Sequence, residues 1–87
     1  MRHHATPRFW QAYRVLPVEV QRLADEKYAL LKENPGHPSL HFKEVGDFCS
    51  VRVGLHHRAL GVRDGDDVAW FWIGRHDEYD RLIAQGG

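Results

Sequence analysis

Two periods divide the chain. Over the first third, apolar residues recur every three or four positions. Phe9, Trp10, Tyr13 and Leu16 form one stripe, and Val20, Leu23, Ala24, Lys27, Tyr28 and Leu31 share a second face, which is the spacing of amphipathic helices. Thr6-Pro7 opens the first helix with a hydroxyl cap, followed by proline where the missing N–H has no intrahelical partner to lose. Pro17 ends that helix and starts the next, with Glu19 near the positive end of the new helix dipole. Glu19, Arg22, Asp25, Glu26 and Glu33 lie away from the apolar face or along its border, and Asn34-Pro35-Gly36 stops the helix. The pair reads as a helical hairpin.

From His37 the period falls to two. Leu40, Phe42 and Val45 alternate along a short strand that ends at Gly46-Asp47. Phe48 to Val53 follows, with Cys49, Val51 and Val53 on one side and Phe48, Ser50 and Arg52 on the other. Gly54-Leu55-His56 turns the chain into a strand from His57 to Val62, and Asp64-Gly65 is a strong hairpin signal. Val68 to Ile73 is apolar on both faces, as a strand covered twice would be. Phe71 is expected against the N-terminal helices and the two tryptophans of this strand against the closing helix, although such aromatics can also stack bases. After Gly74, Asp77 to Ala84 forms a short helix carrying Tyr79, Leu82 and Ile83. The prediction is one α+β domain over residues 1–87: two N-terminal helices packed on a twisted antiparallel sheet of three or four strands, with a short C-terminal helix.

Charge changes this picture less by its sum than by its placement. Twelve basic and twelve acidic side chains give a formal net charge of zero, which removes the simplest argument for a nucleic-acid partner. Nine of the twelve cations are Arg, however, and seven His accompany them. A guanidinium is a permanently charged planar fork suited to phosphate or carboxylate. Between Phe48 and Arg63 the chain has three Arg, two His and no acidic residue; the acids fall in Asp64-Gly65-Asp66-Asp67, in Asp77, Glu78 and Asp80, and along the second helix. A neutral chain can thus carry a basic face.

Cys49 is the single cysteine, so there is no internal disulfide framework and no cysteine-based zinc site, and no base flanks it to make a nucleophile. Pro38 interrupts the His37/His41 pair, and His56 and His57 alternate to opposite faces of a strand, so neither pair converges on a metal. His3-His4 sits at a terminus expected to fray. No apolar signal region opens the sequence, and the run from Val68 to Gly74 is far short of a membrane span. A cytoplasmic protein without a membrane partner is expected.

If the helices bury Val51 and Val53, Ser50 and Arg52 point to the opposite face. Arg58 joins them from the next strand, and Arg75-His76 from the end of the last. The arginines read either as solvated strand residues or as the lining of a phosphodiester site. His76, at the exit of a rigid strand, suits proton transfer or capping of the last helix. Tyr79, three residues on, faces the same way or anchors the core.

These segments together resemble the RelE/ParE superfamily of bacterial type II toxin–antitoxin systems. The resemblance rests on the helical hairpin with Phe9-Trp10 and Tyr13, and on Asn34-Pro35-Gly36-His37-Pro38-Ser39-Leu40 leading to Phe42-Lys43. It continues through Ser50-Val51-Arg52-Val53, His57-Arg58-Ala59-Leu60-Gly61 and Trp70-Phe71-Trp72-Ile73-Gly74-Arg75-His76-Asp77-Glu78-Tyr79, so that it covers Phe9 to Ile83. It implies a RelE-like fold and a cognate antitoxin encoded by the neighbouring gene. The RelE branch implies metal-free, cofactor-free cleavage of mRNA in the ribosome, with the 2′-hydroxyl attacking the adjacent phosphate. Carried over by position, Arg58 resembles the central strand arginine, Arg52 the basic residue of the preceding strand and His76 the terminal basic or acid/base residue, and Tyr79 lies near the position of the C-terminal tyrosine. Lys43, Ser50, His57 and Arg75 would then contact the substrate. The superfamily also implies two other outcomes, a ParE-like inhibitor of DNA gyrase or an attenuated module that binds the antitoxin. Four features depart from the pattern. Met1 to Ala5 is too short for the strand that often precedes the first helix, His57 replaces the aromatic residue usual before the central arginine, Cys49 occupies a position often aromatic, and the net charge is zero.

Overall fold

Local signals decide where the helices begin. The Thr6 hydroxyl accepts a hydrogen bond from the Phe9 amide at 3.2 Å and Pro7 follows, so α1 (Pro7–Arg14) starts at once. Pro17 caps α2 (Val18–Glu33), whose Gln21 side-chain amide donates back to the Tyr13 carbonyl at 3.0 Å, beside the Leu16 backbone N–H that donates to the same oxygen at 3.1 Å. Ala24 and Leu31 are the buried residues of α2, flanked by half-buried Val20, Leu23 and Tyr28. The predicted hairpin is therefore present.

The computed structural model describes residues 2–86. It adds β1 (Arg2–Ala5) before the helices, then β2 (Lys43–Val45), β3 (Phe48–Val53), β4 (His57–Asp64), β5 (Asp67–Arg75) and α3 (His76–Gly86). The sheet order is β1-β5-β4-β3-β2, antiparallel except for the parallel pairing of β1 with β5. The α+β architecture is as expected, but the sheet has five strands among the described residues and is mixed. The extra strand is the segment judged too short. Its four residues are held by tertiary contacts rather than by propensity. His3 Nδ1 accepts from the Trp70 indole at 3.1 Å, the His3 ring stacks on that indole, and the Tyr28 hydroxyl donates to the His3 carbonyl at 3.2 Å. The terminus expected to fray is thus pinned at His3.

A 3-10 turn (Pro38–Leu40) replaces the start of the predicted strand around Leu40, which is nonetheless fully buried. On β5 the alternation breaks. Trp72 pairs with Leu60 and Trp70 with Gly61, so Phe71 is the extra residue of a β-bulge. Val68, Trp70 and Ile73 consequently face α1 and α2, whereas Phe71 and Trp72 both join the cluster beneath α3. This corrects the expected placement of Phe71 against the N-terminal helices and of Trp70 against the last helix, whereas Trp72 lies there as expected. Gly61 is required opposite the bulge, because a Cβ there would lie 2.8 Å from Val68 Cγ1 and 3.0 Å from Trp70 Cε3.

The sheet thus separates two apolar clusters. The larger joins Ala24, Leu31 and Leu40 to Cys49, Val51, Val53, Ala59, Val68, Trp70 and Ile73. The smaller joins Leu60, Trp72 and Tyr79, with Phe48, Phe71, Leu82 and Ile83 around it. No helix among the described residues is long and apolar enough to cross a membrane.

Candidate functional site

The face beneath α3 carries the candidate chemistry. Arg52 and Arg58 are direct partners across β3 and β4, so their side chains leave the same face at the closest cross-strand spacing, where like charges repel. Among the described residues neither is in an ion pair; the ion pairs are Arg2–Asp67, Arg63–Glu44 and Arg75–Asp77. Arg58 Nη1 donates to the His57 carbonyl at 2.8 Å. Arg52 Nη1 lies 3.4 Å from His41 Nε2, and Arg52 Nε is shielded from solvent without a hydrogen-bond partner. A shielded donor without a partner costs free energy, so the opposed pair is held at an expense to the fold. Next to Arg58 in register stands Gly74, bare because the Trp72 indole lies across it; a Cβ there would sit 2.5 Å from Trp72 Cζ2.

The remaining candidates divide. Lys43 is the register partner of Ser50 and is exposed, on the same side of the sheet. Ser50 itself is 1% exposed and accepts a hydrogen bond from the Tyr79 hydroxyl at 3.2 Å, with Tyr79 6% exposed. In this arrangement the pair ties α3 to β3, and neither hydroxyl reaches solvent. His57 and Arg75 are partners of each other, and His57 also of Val53, so they stand on the side covered by α1 and α2. They do not share a hollow with Arg52 and Arg58. Burial pushes the His57 imidazole below its ordinary range, and the charges of Arg75, His56 and His76 add to this.

His76 opens α3 two residues beyond Gly74. It is exposed, its backbone N–H donates to the His56 carbonyl at 2.8 Å, and its ring stacks against that of His56 at 6.3 Å. It therefore stands at the rim, at the β5 end of the arginine pair. Cys49 is buried, and burial raises its thiol, with the charge of Glu44 adding to the effect. Among the described residues no group of three or more His, Cys, Asp or Glu is placed to hold a metal.

One residue of this face was not singled out for it from the sequence. In the sequence His41 stands out only as half of a metal pair with His37. In the structure His37 Nδ1 is occupied by Ser39, while His41 turns to Arg52. The available signal was its position between inward-facing Leu40 and Phe42, which sends the intervening side chain outward.

No family model matches the chain, and no curated protein matches its sequence. Solved structures do match its shape. The RelB–RelE antitoxin–toxin complex of Methanococcus jannaschii superposes with a TM-score of 0.72 at 11% identity, covering 91% of this chain and 96% of that one. A free E. coli RelE toxin in which two arginines are replaced by alanine gives 0.67 at 13% identity, over 97% and 90% of the two chains. The archaeal RelE–RelB complex of Pyrococcus horikoshii OT3 gives 0.61 at 18% identity, over 85% and 92%. The chain therefore has the RelE toxin fold.

Proposed function

We propose that this chain is the toxin of a type II toxin–antitoxin pair, a RelE-like endoribonuclease that cleaves mRNA on the ribosome in the cytoplasm. The observation that carries the reading is the opposed pair Arg52 and Arg58, free of carboxylates among the described residues and with one donor unfilled. Such a pair is unfavourable in the free protein and favourable around a phosphate whose negative charge grows in the transition state. The RNA supplies its own nucleophile. As the 2′-hydroxyl attacks the neighbouring phosphorus, the new O2′–P bond forms and the P–O5′ bond breaks, leaving a cyclic phosphate and a 5′-hydroxyl. Arg52 and Arg58 hold the non-bridging oxygens, and His76 at the rim protonates the departing O5′. Lys43 draws in the backbone from the edge of the sheet. Tyr79 and Ser50 act together by fixing α3, and His57 and Arg75, on the other face, take no part in the chemistry.

The partner in this reading is an antitoxin from the neighbouring gene, an inference supported by the two archaeal neighbours having been solved as RelB–RelE complexes. The test is induction of the chain with and without that gene, followed by growth measurement and mapping of transcript ends. We expect arrested growth with cut transcripts, relieved by co-expression, and purified protein that cuts ribosome-bound mRNA in the presence of EDTA. Arrest with intact transcripts and DNA damage would replace this reading by gyrase inhibition. Harmless expression with intact transcripts would reduce the chain to an antitoxin-binding module.

A further inference from the structure

The cleavage reaction above needs a proton acceptor for the 2′-hydroxyl, and the two arginines, which only donate, cannot supply one. Resting on that reading, we propose that His41 is the general base, with His76 as the acid on the opposite flank.

His41 stands on a backbone of restricted geometry. It is the one non-glycine among the described residues with positive φ (φ 46°, ψ 43°), a region uncommon outside glycine. Its surroundings are built by the preceding residues. His37 Nδ1 accepts from the Ser39 amide at 3.2 Å and lies 2.9 Å from its hydroxyl; Lys27 of α2 donates to that hydroxyl at 3.1 Å. Leu40 is fully buried, and the His41 amide closes the turn onto the Pro38 carbonyl at 3.2 Å. The loop is thus anchored to α2 and to the core on one side, while His41 itself stays exposed. A rigid support of this kind is what a proton-transfer group needs.

The contact with Arg52 also brings the ring to the arginine pair. Arg52 Nη1 approaches His41 Nε2 to 3.4 Å. Because a guanidinium has no acceptor, this is a hydrogen bond only when Nε2 is bare and the proton sits on Nδ1. In that tautomer the basic nitrogen faces Arg52. Across the sheet the order is His41, then Arg52 on β3, Arg58 on β4 and Gly74 on β5, and His76 follows Gly74 by two residues along the chain, at the start of α3. In-line displacement puts the attacking and leaving oxygens on opposite sides of phosphorus. A phosphate held between the two guanidiniums would present its 2′-hydroxyl toward one imidazole and its O5′ toward the other.

The step balances. His41 Nε2 takes the 2′-hydroxyl proton as the O2′–P bond forms, and the electron pair of the breaking P–O5′ bond takes a proton from the His76 imidazolium. His41 ends protonated and His76 neutral, and exchange with water restores both. Protonated His41 beside Arg52 would be repelled in the free protein. In the transition state the added negative charge on the phosphate oxygens offsets that repulsion, which is the differential stabilisation catalysis requires.

The test uses the purified full chain, mRNA on ribosomes, and two variants. His41→Gly suits a backbone at positive φ and leaves a gap that free imidazole can enter. His41→Gln keeps an acceptor for Arg52 but cannot take a proton. We expect both variants to bind ribosome-bound mRNA as the parent does and to cleave it at least about 10²-fold more slowly, with added imidazole restoring much of the rate to His41→Gly alone. Parent-like cleavage by His41→Gln, or a His41→Gly protein that imidazole does not revive, would overturn the assignment and leave His41 as a support for Arg52. A parent protein that cuts no mRNA in the same assay rejects the nuclease reading itself, so the two failures are distinct.

Discussion

Alternate residues of β3, β4 and β5 look to opposite sides of the sheet, and the two sides differ in what occupies them. Toward α1 and α2 stand Cys49, Val51, Val53, Ala59, Val68, Trp70 and Ile73, none more than 5% exposed. Toward α3 the same strands present Ser50, Leu60 and Trp72 beside half-buried Arg52 and Arg58, two like charges directly opposite each other. The first side is apolar and close-packed, and any change of volume is felt there. The second gives up part of that packing to hold two cations that make no ion pair among the described residues. One sheet thus serves as scaffold on one side and as candidate site on the other, and substitutions should separate the two.

The largest effect is expected from Arg58→Ala. Removing one charge donor from a transition-state clamp lowers the cleavage rate by about 10²–10³-fold. The melting temperature should stay level or rise, because the variant also relieves the repulsion between Arg58 and Arg52. A variant that keeps its rate, or loses stability as a core variant does, would erase the distinction between the two faces.

Gly61→Ala probes the packed side. The new Cβ would meet Val68 Cγ1 at 2.8 Å, Trp70 Cε3 at 3.0 Å and the Ala69 carbonyl oxygen at 3.1 Å. Overpacking of this kind costs about 1–3 kcal/mol, read as a lower urea midpoint with an unchanged slope. Activity per folded molecule should be preserved, since Gly61 lies away from the arginines. An unshifted midpoint would show that the bulge at Phe71 can relax, and that this side is softer than its burial implies.

Tyr79→Phe tests whether α3 belongs to the scaffold or to the site. It removes the hydrogen bond from the Tyr79 hydroxyl to Ser50 and strands a serine that is 1% exposed. The expected loss is about 1 kcal/mol, with faster amide exchange along α3 and only a small change in cleavage. A collapse of cleavage at unchanged stability would instead return Tyr79 to the chemistry.

How much of this could be read beforehand follows from where the signals are local. The helices were legible because Thr6-Pro7, Pro17 and Asn34-Pro35-Gly36 act on their own neighbours. Ser50 and Arg52 on one side of β3, away from Val51 and Val53, followed from period two alone. That same parity places His57 opposite to Arg58, so the two could not share one hollow, a consequence available from the sequence and not drawn from it. The bulge was hidden because Trp70-Phe71-Trp72 is aromatic throughout and offers no alternation to break. β1 was hidden because its order comes from Trp70 and Tyr28, far along the chain. The outward direction of His41 could follow from Leu40 and Phe42 on either side, but its meeting with Arg52 required a backbone angle and a neighbour on β3.

The smallest effect concerns acid, and it should act through the packed side. His3 and His57 are register partners of Val68 and Val53, and both stand toward α1 and α2. Burial is the main cause that lowers the affinity of each ring for a proton, with neighbouring positive charge adding to it. The folded protein therefore binds these protons less readily than the unfolded chain. Their contribution to stability is complete above the unfolded imidazole value of about 6.5, and it is lost as the pH falls from there toward the lowered values of the folded state. For His3 the reason is visible in one contact, since Nδ1 must be bare to accept from the Trp70 indole at 3.1 Å. Melting temperature should be level above neutrality and decline below it, and the decline should be shallower in His3→Asn, whose amide oxygen can accept the same bond at any of these pH values. A parent protein that melts at one temperature across that interval would mean that the β1–β5 edge opens before the ring is protonated, and would move His3 from the packed side to the periphery.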